Sequence, residues 1–224
     1  MSRIILFGGT FDPIHNGHIA LCQAALDFAD ADQVILIPTI PPYKQNAKIA
    51  SGEDRLFMCQ LATRGMDPFS VDSSEIERGT PAYTADTVKR LARKYPEDDL
   101  YYLLGSDAFM AFHYWVRWKD VAENATLLVG LRGDENREEM LYERDRLTRE
   151  GVRVILMGNS PVVISATEIR KKIRSKETLK YLHPDVAKYI QLRDLYYDSQ
   201  EDDTSTLDAI TDKVRRAPVH AHEH

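Results

Sequence analysis

Two cysteines in 224 residues, Cys22 and Cys59, are too few and too far apart for a disulfide scaffold or a CxxC redox or zinc motif. Each sits among apolar residues in an expected helix, so both read as reduced core thiols. No apolar run is long enough to span a bilayer. The first residues read as a strand, not as a charged segment followed by an apolar signal core, so cytoplasmic residence without a membrane partner is the expectation. A basic excess is also missing. Lys+Arg 29 against Asp+Glu 35 gives a formal net charge of -6, which disfavours broad electrostatic capture of nucleic acid. That sign leaves room for a small anionic ligand held by local Lys, Arg and His. No internal repeat is evident.

Apolar runs at Ile4 to Phe7, Val34 to Ile37, Leu100 to Leu104, Thr126 to Leu131 and Val152 to Met157 read as buried parallel strands, with Phe69 to Val71 as a shorter one. Helical patterns lie between them, at about Gly17 to Ala29, Ser51 to Arg64, Thr84 to Lys94 and Glu138 to Glu150. Ser51 and Thr84 are candidate caps. This alternation predicts an α/β fold with a Rossmann-like, doubly wound parallel sheet. Past Met157 the pattern changes to helix starts at Ser165 and near Pro184, expected as a C-terminal helical appendage. The expected domain spans 1–197, and 198–224 reads as a flexible acidic tail with too few apolar residues to offset ordering entropy. His220, His222 and His224 alternate in that tail, a spacing that fits an exposed coil better than a metal site.

The chemistry concentrates at GGTFDPIHNGH, residues 8 to 18. Gly8 and Gly9 follow the first strand, where missing side chains let backbone amides approach a phosphate and permit unusual dihedrals. Asp12-Pro13 turns the chain, and Gly17 leaves space beside His15 and His18 at the next helix start. Imidazoles fixed there are donors for the charge that develops in phosphoryl or nucleotidyl transfer. A bland alternative makes His15 a turn residue and His18 a cap. A second anion signal is ISATEIR, residues 164 to 170, in which Ser165 can cap a helix whose first amides face an anion and Arg170 adds a rigid fork of donors. Lys44 follows two restrictive prolines, Pro41 and Pro42, which can deliver its ammonium to a defined place. Arg132 follows the fifth strand with similar logic. Asp107 follows the Leu100 to Leu104 strand, where it can accept from ribose hydroxyls or cap an Ala108 to Phe112 helix.

These segments together resemble the bacterial nicotinate-nucleotide adenylyltransferases, within the HxGH nucleotidyltransferase superfamily, up to about Tyr197. The resemblance places His15 and His18 on the phosphates of ATP, with Thr10 and Phe11 in the cradle. It places Ser165, Thr167 and Arg170 on the triphosphate or adenosine side, and Lys44 on substrate phosphate through PPxK. It favours the ribose role for Asp107, while Arg132 is a candidate for an ATP contact on its strand-end position alone. PAYTADT, residues 81 to 87, resembles the SYTxxT substrate loop with Ala82 in place of serine, which implicates Tyr83 and Thr84. In FHYWVRW, Trp115 aligns with a nicotinate-stacking tryptophan, while Trp118 reads as core. The nicotinate carboxylate is then expected to meet backbone amides near Thr84 and Val116.

The implied reaction is transfer of AMP from ATP to nicotinate mononucleotide, giving nicotinate adenine dinucleotide and pyrophosphate in NAD biosynthesis. Mg²⁺ is expected on ATP rather than in a cage of protein ligands. The two partners are ATP and nicotinate mononucleotide, and a homo-oligomer is compatible with these motifs. Another adenylyl- or cytidylyltransferase with the same cradle, or a silent nucleotide-binding regulator, are the competing readings. A dinucleotide oxidoreductase fits less well, because the first turn is GGTFDP rather than GxGxxG.

Overall fold

A computed structural model describes residues 1–40, 49–131, 136–159 and 164–197. Lys44, Arg132 and the expected 198–224 tail lie outside them. Among the described residues six parallel strands form one sheet: β1 (Arg3–Gly9), β2 (Gln33–Pro38), β3 (Phe69–Val71), β4 (Asp99–Gly105), β5 (Thr126–Leu131) and β6 (Val154–Asn159), in the order β3-β2-β1-β4-β5-β6. The last strand begins two residues later than its apolar run suggests, because Val152 is spent in the core before pairing starts.

The longer helices are α1 (Asn16–Ala29), α2 (Gly52–Ala62), α4 (Thr84–Lys94), α7 (Arg137–Arg149) and α10 (Pro184–Leu192). Shorter ones are α3 (Ser74–Arg78), α5 (Ser106–Met110), α6 (Trp118–Asn124), α8 (Ala166–Lys171) and α9 (Lys176–Leu179), with a single 3-10 turn at Phe112–Tyr114. Alternate residues of β1 feed two cores. Ile5 and Phe7 join α1, α2 and the C-terminal helices on one face, while Ile4 and Leu6 join α4 to α7 on the other. Burial on both faces is why these strands read as unbroken apolar runs. Among the described residues no helix is long and apolar enough to cross a membrane.

The strand order reverses between β1 and β4, so the crevice beyond their C-terminal ends is where a ligand site belongs. The C-terminal appendage is fastened beside it. Tyr189 of α10 donates to Asp54 of α2 at 2.7 Å, Arg193 approaches the same carboxylate at 3.4 Å, and the main-chain N–H of Asn16 donates to Tyr181 O at 2.8 Å. Partial burial pushes the Asp54 carboxyl up, but the Tyr189 and Ser51 hydroxyls and the Arg193 charge outweigh it and hold Asp54 below the usual carboxylate range.

Two local expectations change. Thr84 is not the cap of α4 but its first residue; Tyr83 takes the cap position with extended backbone, and the Thr84 side chain pairs with the Tyr102 hydroxyl. Asp107 does not cap a helix beginning at Ala108, because α5 starts at Ser106 with Gly105 as its cap residue, leaving Asp107 exposed in the first turn.

Candidate active site

Strand β1 runs through both glycines before the chain breaks away, with Gly9 paired to Pro38. Neither glycine takes a left-handed backbone; that conformation falls on Phe11, at φ 48°. The expectation of unusual dihedrals at Gly8 and Gly9 is therefore corrected to a requirement for room. A Cβ on Gly8 would collide with the Tyr102 hydroxyl, and one on Gly9 would sit 3.0 Å from the Phe11 ring. The left-handed turn costs on the order of 1 kcal/mol for a bulky residue, and packing offsets it. Phe11 is 2% exposed, edge-on to Phe7 and to His18 at centroid distances of 5.4 and 5.1 Å.

His15 occupies the cap position of α1 and His18 the third helical residue. The His15 main-chain N–H donates to His18 Nδ1 at 3.2 Å, and the rings stack with centroids 3.6 Å apart. An Nδ1 that accepts places the proton of a neutral imidazole on Nε2, so His18 offers an outward donor whose tautomer is set by backbone. His15 is buried behind it.

His18 lines a cleft of about 320 Å³ with Thr10, Phe11, Asp12, Thr167 and Arg170. The two motifs separated by some 150 residues of sequence thus face one space. Arg170 bridges them: Nη1 donates to Asp12 O at 2.6 Å and Nη2 to Thr167 Oγ1 at 3.2 Å, with Asp12 Oδ2 at 3.6 Å. Ser165 is the cap of α8, but its amide and hydroxyl both engage Glu168, at 3.1 and 2.9 Å, in a capping box that holds the Glu168 carboxyl below its ordinary range. Ser165 therefore shapes the helix start and is not in the cleft wall.

Two residues that sequence patterns left out, Tyr196 and Arg55, hold the cradle from below together with Asp12 of the motif. Asp12 Oδ1 accepts from Ala50 N at 3.0 Å and from the Tyr196 hydroxyl at 2.7 Å. Burial, then the Asp12 carboxylate, push the Tyr196 phenol up, so it remains a donor. Arg55, 2% exposed, donates to the carbonyls of Thr10, Thr39 and Ala50. Burial pulls its pKa down and the nearby Asp12 carboxylate opposes that. One signal for Arg55 was available: it heads the stripe Arg55, Met58, Cys59, Ala62, whose i, i+3, i+4, i+7 spacing otherwise buries apolar groups.

A second cleft of about 340 Å³ adjoins the first, its wall including Gly8, Gly9, Thr10 and Thr39 at the ends of β1 and β2 together with Tyr83, Thr84, Tyr102, Trp115 and Val116. Thr10 belongs to both clefts. Trp115 stands edge-on to Tyr102 at 6.1 Å and packs on Phe112, and Trp118 packs edge-on against the same Phe112 ring. Tyr83 and Val116 are half exposed at the rim. An Arg117–Asp86 ion pair ties the segments carrying Val116 and Tyr83 together. Nearby, buried Glu75 accepts from Thr87 of α4 and from the Ile40 backbone after β2; burial raises its pKa despite those bonds. Asp107 lies outside the walls of both clefts. Among the described residues no cluster of three or more His, Cys, Asp or Glu is placed to hold a metal.

Comparison with known proteins bears on the family and the fold. The profile of the cytidylyltransferase-like family matches residues 6–172. The Neisseria meningitidis serogroup B protein named "Probable nicotinate-nucleotide adenylyltransferase" is 35% identical over 202 residues, covering 88% of this chain and 99% of that one. A Pseudomonas syringae protein of the same name is 32% identical over 207 residues, covering 87% and 93%. Among solved structures, Plasmodium falciparum nicotinic acid mononucleotide adenylyltransferase complexed with NaAD matches with a TM-score of 0.69 at 19% identity, over 88% of this chain and 98% of that one. At that identity the likeness is one of fold.

Proposed function

The chain belongs to the cytidylyltransferase-like family and, within it, to the nicotinate-nucleotide adenylyltransferases, and on that footing we propose that it transfers AMP from ATP to nicotinate mononucleotide, releasing pyrophosphate and forming nicotinate adenine dinucleotide. The observation that carries this reading is the place of Thr10 in the walls of both clefts. A triphosphate in the His18–Arg170 cleft and a nucleotide phosphate in the Trp115 cleft would meet end to end there. The attacking phosphate is already anionic, so the residues have to align and to stabilise charge, and no side-chain nucleophile is required.

In this reading the Nε2–H of His18 donates to an ATP phosphate oxygen. Arg170, already braced on Asp12, faces the departing pyrophosphate. Trp115 covers the pyridine ring, and the amides that begin α4 receive its carboxylate. Mg²⁺ arrives on the ATP phosphates and reduces their charge. A carboxamide would bring donors where acceptor oxygens are wanted, so nicotinamide mononucleotide should be the poorer substrate, by about 2 to 4 kcal/mol in transition-state binding.

Purified protein incubated with ATP, Mg²⁺ and each pyridine mononucleotide, with products identified by mass, tests this reading. Nicotinate adenine dinucleotide with one pyrophosphate per turnover is expected. Consumption of ATP without a dinucleotide, or equal kcat/KM for both mononucleotides, would contradict it.

A further inference from the structure

Arg55 is a charged side chain in a place where packing alone would favour an apolar one. Its Nη1 reaches Thr10 O at 2.5 Å and Thr39 O at 2.8 Å, and its Nε reaches Ala50 O at 3.2 Å. Thr10 and Thr39 are the first residues beyond the ends of β1 and β2, joined also by the Thr39 N–H donating to Gly9 O at 2.9 Å. One nitrogen therefore sets the spacing of two adjacent strand ends where they become cleft wall. The helix that carries it is itself fixed, since neighbouring Asp54 is gripped by Tyr189 and Arg193. Burying a guanidinium carries a desolvation penalty that fold stability alone does not call for, and a methionine of similar length would fill the space.

We propose that Arg55 is a positioning residue for the transfer step: by holding the Thr10 and Thr39 carbonyls it fixes the junction of the two clefts, and with it the distance between the reacting phosphates. This rests on the adenylyl-transfer reading above and goes beyond it in assigning a buried residue that touches neither substrate. Lysine in its place keeps the charge but offers a point donor instead of a fork, so the strand ends lose their common anchor. Displacement of reacting groups by about 1 Å is enough for about a hundredfold loss of rate.

Three variants test it: Arg55→Lys, Arg55→Met and Arg55→Ala, each assayed as the folded fraction with ATP and nicotinate mononucleotide. In Arg55→Lys and Arg55→Met, kcat should fall about 30- to 100-fold while both KM values stay within about threefold. In Arg55→Ala, millimolar guanidinium should restore at least about a tenth of the lost kcat and urea should not. Hydrogen exchange supplies a readout independent of the reaction: the amides of Gly8 to Phe11 and Thr39 should exchange about tenfold faster in Arg55→Lys while β4 and β5 keep their protection. Normal kcat in a folded Arg55→Met, or unchanged exchange at those amides, would overturn the proposal, as would lower thermal stability as the sole effect. A wild-type protein that forms no dinucleotide would defeat the transfer reading instead, and the exchange measurement would still decide whether Arg55 pins the strand ends.

Discussion

The main-chain N–H of His15 donates to Nδ1 of His18 at 3.2 Å, and the two imidazoles stack 3.6 Å apart. Backbone thus dictates which nitrogen of His18 carries the outward proton, and the His15 ring limits its rotation. Replacing His18 with alanine removes one fixed donor from the triphosphate cleft. The expected loss is about 10²- to 10³-fold in kcat, with far-UV circular dichroism unchanged. Steady-state kinetics on purified protein check it, and turnover near the wild-type value would remove His18 from the reaction.

Arg170 has two tasks that lysine cannot share. It clasps the Asp12 carbonyl and the Thr167 hydroxyl from separate nitrogens, and it faces the cleft. Arg170→Lys should lower kcat about 10- to 100-fold although charge is retained. Equal turnover in the two proteins would show that a point charge suffices.

The fold was legible where one physical rule dominated. Strands such as Leu100 to Leu104 and Thr126 to Leu131 are buried on both faces and show as apolar runs, and the periodic helix α4 shows its apolar stripe. Helices α3 and α6 are too short to display a period, so they were not legible. The motif residues Thr10, His18, Thr167 and Arg170 do converge on one cleft. What remained hidden depends on partners far apart in sequence: Arg55 acts on Thr10, and Asp12 is held by Tyr196, 184 positions away. The left-handed turn at Phe11 was hidden too, because two adjacent glycines are the usual site for it and here they serve close packing instead.

Tyr196 connects the C-terminal segment to the signature loop through Asp12. Tyr196→Phe leaves Asp12 Oδ1 with the Ala50 amide and removes a buried donor. Stability should drop by about 1 to 2 kcal/mol, or about 2 to 8 °C in Tm. Thermal unfolding measures this, and an unchanged Tm would mean that the contact is energetically silent.

Glu75 gives a stability effect with a definite sign. Its carboxyl is raised above the usual range by burial, so the folded protein binds that proton more tightly than the unfolded chain does. Its contribution is fully present below the ordinary carboxylate value and is lost as pH rises through the raised folded value. Glu75→Gln keeps an acceptor for Thr87 and abolishes the ionisation. The variant should therefore be more stable than wild type at about pH 8, with the difference closing towards about pH 4. Chemical denaturation at both pH values decides it; a variant less stable at the higher pH would contradict the sign.

The most direct test concerns the shared wall at Thr10, where transfer is proposed to occur in a single in-line displacement. Single-turnover reaction of one diastereomer of ATP thiolated at the α-phosphorus, with nicotinate mononucleotide as acceptor, reports the configuration at that phosphorus. Inversion is predicted. Retention would require a covalent adenylyl-protein intermediate and would contradict direct attack across the junction of the two clefts.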